Sequence, residues 1–302
     1  METPEQNYVT LYTGAKMPKV GLGVCTLMDK DLIVKSVCEV GYRHIDTAAF
    51  YHNEELVGEA LKEVVEAGVL RDELFVTTKL WRSKYSDPES GLRESLEKLK
   101  LDYIDLYLIH WPNNLVDNEG NFEKNPMHKV WEGMEKCVEL GLTKHIGISN
   151  FNVQLICDML CYCNIKPACN QIELHPYLQQ PELVDFCKKY DIAVIAYSPL
   201  SNPDRQAGKK NEKNILENSV VAEIAKNQEK TSAQVTLAWN IQRDVAVIPK
   251  SSKISRAQEN FESQFITLTE DEIRQMSELD CNHKIFDPTG WGGSWGNVPV
   301  FK

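Results

Sequence analysis

The sequence predicts an α/β protein of (β/α)8 (TIM) barrel type, one domain over residues 1–302, with an N-terminal β-hairpin and long loops on one face. Three observations predict it. Eight short apolar runs rich in β-branched and aromatic residues recur along the chain, and amphipathic segments of about 10 to 15 residues separate them. The runs are nearly continuous in apolar residues, so both faces of each strand must be covered, as in an all-parallel sheet. The competing doubly wound sheet needs a Gly-x-Gly-x-x-Gly turn entering a helix, whereas Gly21-Leu22-Gly23 continues into Val24-Cys25-Thr26.

The elements follow in order. The segment 8–20 reads as a hairpin turning at Thr13-Gly14 and covering the bottom of the barrel. The first strand is 20–24 and the second, 44–47, precedes a helix over 53–66 opened by Asn53. The third strand, 74–80, leads to a helix at 88–99, where Pro88 suits the first helical position. Strand four is 104–111, followed by a helix at 127–139. Strands five and six are 145–149 and 169–174, with a helix at 181–190 after the latter. Strand seven, 193–199, precedes a loop at 201–214 rich in Asn, Asp and Lys, then a helix at 232–242. Strand eight is 246–250, and 287–302 forms a Gly-rich tail. Long loops after strands lie on the face where barrels carry their active sites.

Composition excludes several classes of function. The 33 Lys and Arg against 44 Asp and Glu give a net charge of −11, with no basic run longer than a pair, so no nucleic-acid backbone is expected as a partner. No stretch approaches the ~20 apolar residues of a membrane span, and the start lacks the basic and apolar regions of a signal peptide. The nine cysteines are odd in number, form no Cys-x-x-Cys pair and imply no disulfide framework; with no Asn-x-Ser/Thr acceptor they point to a reducing compartment, the cytosol. They are expected as small buried residues. The spacing of Cys157, Cys161, Cys163 and Cys169 fits no common zinc pattern, and no metal is expected.

Polar groups at the carboxyl ends of barrel strands converge on one pocket. Asp46, Lys79 and His110 end strands two, three and four, and Tyr51 follows Asp46 by five residues. An acid, an amine, an imidazole and a phenol around one point make an acid/base site. A nearby ammonium would lower the phenol from its ordinary value of about 10, Asp46 would orient Lys79, and His110 would polarise a carbonyl. Taken singly, Lys79 and Asp46 also fit a buried structural ion pair, and His110 a satisfied core histidine. A second constellation follows strands seven and eight. Lys250, Ser251 and Arg256 supply two cations and a hydroxyl where such barrels bind phosphate at a helix N-terminus. Asn150 and Gln171 suit a carboxamide ligand, and Tyr197 offers a ring to stack on it.

The segment 41–48, Gly-Tyr-Arg-His-Ile-Asp-Thr-Ala, followed by Tyr51, Glu54 and Gly58, and the segment 248–261, IPKSSKISRAQENF, together resemble the two signatures of the aldo-keto reductases. KLW (79–81), LIHWP (108–112), GISNF (147–151), NQIELHP (170–176) and AYSPL (196–200) match the strand-end motifs between them, and the likeness runs from about residue 8 to residue 286. The resemblance implies NADPH-dependent reduction of aldehydes or ketones, with Tyr51 as general acid, Lys79 and Asp46 tuning it and His110 orienting the carbonyl. It implies that Ser149, Asn150 and Gln171 hold the nicotinamide carboxamide under Tyr197. Ser198, Leu200, Ser201 and Asp204 would then line the pyrophosphate, Lys250, Ser251 and Arg256 the 2′-phosphate, and Glu259 and Asn260 the adenine. The two cations are the physical reason to expect NADPH over NADH.

The pocket departs from the aldose-reductase-like pattern, with Val24-Cys25 where many members carry Thr-Trp. Trp81, Trp111 and Cys25 are expected as walls, with Trp291 and Trp295 of the tail able to close over a substrate. An aromatic pocket without a basic anchor suggests uncharged aldehydes, aldoses or small ketones, handled by a monomer. Two rivals stay open: a cofactor-binding regulatory or structural protein on the same scaffold, and a Schiff-base aldolase using Lys79.

Overall fold

A computed structural model describes residues 7–115, 121–201 and 214–288. Eight parallel strands form the expected sheet: β3 (Leu22–Gly23), β4 (His44–Asp46), β5 (Phe75–Leu80), β6 (Ile104–Ile109), β7 (Thr143–Ser149), β8 (Cys169–Glu173), β9 (Ala193–Tyr197) and β10 (Ala246–Val247), each paired with the next. A parallel bridge between Val20 and Val247, with Gly21 N donating to Val247 O at 2.8 Å and Val247 N to Lys19 O at 2.7 Å, joins the last strand to the first and closes the barrel. Every residue of β4, β5, β6 and β8 is buried, as expected of strands covered on both faces.

The hairpin is present as β1 (Tyr8–Thr10) and β2 (Lys16–Pro18), with Gly14 at φ +85° in the turn. Val9, Leu11 and Met17 pack against Phe75, Cys169 and Ala246, the first residues of β5, β8 and β10, so the hairpin plugs the amino-terminal end of the barrel. Gly21 and Gly23 serve close packing, not phosphate binding: a Cβ on Gly23 would lie 2.6 Å from Ile248 O, and one on Gly21 2.8 Å from the His44 ring.

The described helices are α1 (Lys30–Lys35), α2 (Glu54–Glu66), α3 (Pro88–Leu99), α4 (Met127–Glu139), α5 (Val153–Tyr162), α6 (Pro181–Lys189), α7 (Ser219–Asn227), α8 (Ser232–Gln242), α9 (Ile254–Glu262) and α10 (Glu270–Ser277), of which α2, α3, α4, α6 and α8 coincide with the expected segments. Asp87 caps α3 through Ser90 N at 3.1 Å, and Thr231 with Gln234 forms a capping box on α8. Asn53 does not cap α2. Its amide donates to Val24 O at 2.8 Å and Leu27 O at 2.9 Å, which pins the loop after β3 instead.

Close approach of α2 to α3 falls at Gly58, where a Cβ would lie 2.3 Å from Lys98 O and 2.7 Å from Leu99 C. Gly58→Ala must push backbone apart, because no flexible side chain can yield. Equilibrium urea unfolding is expected to show a loss of about 2 kcal/mol, through a lower midpoint at unchanged slope.

The cysteine expectation needs correction. Cys137, Cys169 and Cys187 are buried and Cys163 partly so, but Cys25, Cys38, Cys157, Cys161 and Cys281 are exposed, and all nine are free thiols. Cys157 and Cys161 sit one turn apart on the outer face of α5, which periodicity alone could not distinguish from its inner face.

Candidate active site

Parallel register sets the strand ends side by side. Asp46 is the last residue of β4, Lys79 the penultimate residue of β5, and His110 follows β6, while Ser149 and Gln171 are register partners on β7 and β8. The turn Ala49–Tyr51 after β4 swings Tyr51 back over these ends.

Lys79 is fully buried and its ammonium has three acceptors: Asp46 Oδ1 at 2.5 Å, Thr47 O at 2.8 Å and Tyr51 OH at 3.4 Å. Three acceptors account for all three ammonium protons. Because the phenol oxygen accepts from Lys79, the phenol's own proton is left to point elsewhere. Asp46 Oδ2 accepts from Gln171 Nε2 at 2.8 Å, so both carboxylate oxygens are held. Burial, with Asp46 next, pushes Tyr51 well above the ordinary phenol value of 10.0. The direction is opposite to the expected lowering: burial and the Asp46 charge both disfavour the phenolate, so the phenol stays protonated.

The His110 ring lies nearly perpendicular to Tyr51, 5.8 Å between centroids, and to Trp81 at 5.3 Å. Burial first, then Lys79 and Arg82, hold this imidazole well below its ordinary value of 6.5, so it is neutral. Its Nδ1 is buried with no hydrogen-bond partner among the described residues. An orphaned acceptor costs less than an orphaned N–H, so the proton belongs on Nε2. The folded histidine refuses a proton that the unfolded one accepts, so the unfolded chain binds more protons below about 6.5 and stability falls as pH drops through that value. Denaturant unfolding at pH 5.5 and 7.5 is expected to show this fall, and His110→Gln to reduce it.

The amides lie in one network beside this centre. Asn150 Nδ2 donates to His110 O at 3.0 Å, Tyr197 OH donates to Asn150 Oδ1 at 2.8 Å, and Ser149 Oγ donates to Gln171 O at 2.9 Å. Ser198 and Ser201 take positive φ in the turn after β9, and the Ser201 hydroxyl is buried with no partner among the described residues. Leu200 is partly buried beside them. At the other constellation Lys250 is exposed and donates to Thr26 Oγ1 at 3.0 Å, while Arg256 is exposed on the first turns of α9. Ser251 is buried, its hydroxyl donating to Lys253 O at 2.8 Å, so it shapes the turn. Glu259 is partly buried and Asn260 buried on the same helix. Asp204, Trp291 and Trp295 lie outside the described residues.

Sequence reasoning missed several participants. Phe50 stacks on Trp81 at 3.9 Å and 21° and stands edge-on to the His110 ring at 6.3 Å, adding an aromatic surface beside the site. Cys25, expected from the sequence as a wall, is exposed two residues past β3, within electrostatic reach of Lys79 and Lys250. Tyr85 OH donates to Trp111 O and accepts from Trp111 N, fixing that backbone. Phe50 was findable, as an aromatic residue preceding Tyr51; the roles of Thr26 and Tyr85 rest on contacts 26 or more residues apart. A cavity of about 560 Å³ lies on the opposite end of the barrel, between Arg43, Asp105 and His145, away from all these groups.

The sequence pattern of the Aldo/keto reductase family matches residues 22–280. Aldo-keto reductase family 1 member A1 of Xenopus tropicalis is 42% identical over 93% of this chain and 91% of its own length. The NADP-dependent D-sorbitol-6-phosphate dehydrogenase of Malus domestica is 38% identical over 94% and 97%. Among solved structures, an aldo-keto reductase complexed with NADPH superposes with a TM-score of 0.89 at 34% identity, covering 95% of this chain and 91% of that one. The aldose reductase of Schistosoma japonicum does so with a TM-score of 0.85 at 34% identity, over 93% and 94%.

Proposed function

The chain belongs to the aldo/keto reductase family, and from that premise we propose that it reduces uncharged aldehydes and small ketones to alcohols with NADPH, Tyr51 donating the proton. NADPH when bound supplies the hydride to the carbonyl carbon. The observation that carries the reading is the Lys79 ammonium, which donates to both Asp46 and Tyr51 and leaves the raised, protonated phenol free to give its proton to the carbonyl oxygen. Neutral His110, with its proton on Nε2, orients that oxygen by a hydrogen bond. The saturated hydrogen bonding of Lys79 speaks against a nucleophilic amine and so against the aldolase reading.

The residues fit the cofactor. Gln171, Asn150 and Ser149 present amide and hydroxyl groups beside Tyr197, suited to the carboxamide. The Ser201 hydroxyl, without a partner among the described residues, suits a pyrophosphate oxygen, and exposed Lys250 and Arg256 suit the 2′-phosphate. Phe50 stacked on Trp81, with the His110 ring edge-on to both, offers an aromatic wall for an apolar substrate. No helix among the described residues is long and apolar enough to cross a membrane, and the enzyme is expected to act as a cytoplasmic monomer built as one barrel.

The test is a panel of NADPH-oxidation rates with glyceraldehyde, xylose, an aromatic aldehyde and a keto-steroid, repeated with NADH. Turnover with NADPH is expected, with the aromatic aldehyde preferred; no turnover with any carbonyl despite tight NADPH binding would shift the reading to a regulatory protein. Lys250→Met with Arg256→Leu is expected to weaken NADPH binding by at least about tenfold, each charge-assisted contact contributing on the order of 1 kcal/mol, while NADH binding stays put. Fluorescence titration with both cofactors measures it.

A further inference from the structure

Glu173 closes β8 and is 1% exposed, yet neither the proton relay nor the phosphate contacts use it. Its carboxylate gathers three donors, one from a near neighbour and two from a segment more than 110 residues away. Oε1 accepts from His175 Nε2 at 3.0 Å and from the backbone N of Ile285 at 2.8 Å, and Oε2 accepts from the backbone N of Phe286 at 2.9 Å. Burial pushes this carboxyl up, but the His175 hydrogen bond and charge, Lys284 and the Ile285 N–H outweigh it and leave it below the ordinary carboxylate value, so it is ionised. A second anchor lies just upstream, where Tyr177 O accepts from Cys281 N at 3.3 Å and His283 N at 2.8 Å. Between them these contacts fasten residues 281–286 across the carboxyl face of the barrel.

The place where the segment is fastened decides what it touches. Glu173 and Tyr197 are register partners on adjacent strands, so a residue bound to the Glu173 carboxylate falls over Tyr197. The Phe286 ring stands perpendicular to the Tyr197 ring, at 5.6 Å and 87°. Tyr197 is thus constrained at both ends: its hydroxyl by Asn150 and its ring by Phe286.

We propose that Glu173 is a positioning residue for the cofactor: by clamping the backbone of residues 285 and 286 it holds Phe286 against Tyr197 and so fixes the ring on which the nicotinamide stacks. This rests on the reading of Tyr197 as the stacking residue. A carboxylate that merely stabilised the fold would have no reason to change cofactor affinity. Loss of one aromatic contact is worth about threefold to tenfold in an equilibrium constant.

The experiment is an NADPH titration by protein fluorescence on the full chain, with a thermal melt alongside, for Glu173→Gln, Phe286→Ala, the double variant and Tyr197→Leu. Glu173→Gln and Phe286→Ala are each expected to raise the NADPH dissociation constant about threefold to tenfold. The double variant is expected to show no more than the larger single effect, since both act through one contact. Parent-like NADPH affinity in Phe286→Ala, or in a folded Glu173→Gln whose melting point alone drops, overturns the proposal, as does full additivity in the double variant. Phe286→Ala leaves the carboxylate intact, so it decides the matter even where Glu173→Gln does not fold. Tyr197→Leu separates the premise: parent-like affinity there means Tyr197 is not the stacking ring, whereas weakened binding in Tyr197→Leu alone means the clamp does not govern it.

Discussion

Tyr51→Phe is expected to lose about 10²- to 10⁴-fold in turnover while binding NADPH with the parent's affinity, because the phenol acts only when the carbonyl oxygen takes up charge. The substitution removes one oxygen from a group that, among the described residues, accepts a single hydrogen bond, from Lys79 at 3.4 Å. The ring stays against His110, and Lys79 keeps Asp46 and Thr47, so stability should barely move. Single-turnover NADPH oxidation with an aromatic aldehyde, beside a fluorescence titration, reads the two quantities separately. Reduction at the parent rate would remove Tyr51 from the chemistry.

Lys79→Met should cost both stability and turnover. It strips Asp46, 1% exposed, of its countercharge and leaves, among the described residues, only Gln171 Nε2 to satisfy a buried carboxylate. Breaking one partner of such a pair costs about 3–5 kcal/mol. Adding Asp46→Asn removes the stranded charge and is expected to recover most of the stability but none of the turnover. Denaturant midpoints and kcat for the two variants test this. A double variant as unstable as Lys79→Met would mean that the lost stability came from packing and not from the stranded charge.

Much of the site was legible because its signals are local. Polar residues interrupting apolar strands at Asp46, Lys79 and His110 marked the carboxyl face, where the structure brings Asp46, Lys79 and Tyr51 together, and the cations of 250–256 led to the expectation of a phosphate there. The aldo/keto reductase signatures then gave each position a role. The direction of the Tyr51 shift was not legible, since an ammonium in the sequence says nothing of how far burial desolvates the phenolate. Asn53 read as a helix cap, and the tertiary structure gave its amide to Val24 and Leu27 instead.

By itself, then, the sequence determined the eight-strand alternation, the positions of five of the helices and the residue types at the strand ends, because hydrophobic period, capping and breakers act over a few residues. Only the tertiary structure decided what depends on groups far apart in the chain. These are the Val20–Val247 bridge that closes the barrel, the stack of Phe50 on Trp81, the exposure of five cysteines, and the capture of Ile285 and Phe286 by Glu173 across more than 110 residues. The physical reason is that desolvation and long-range hydrogen bonding are set by which surfaces meet, and a one-dimensional pattern fixes a residue's period but not its neighbour.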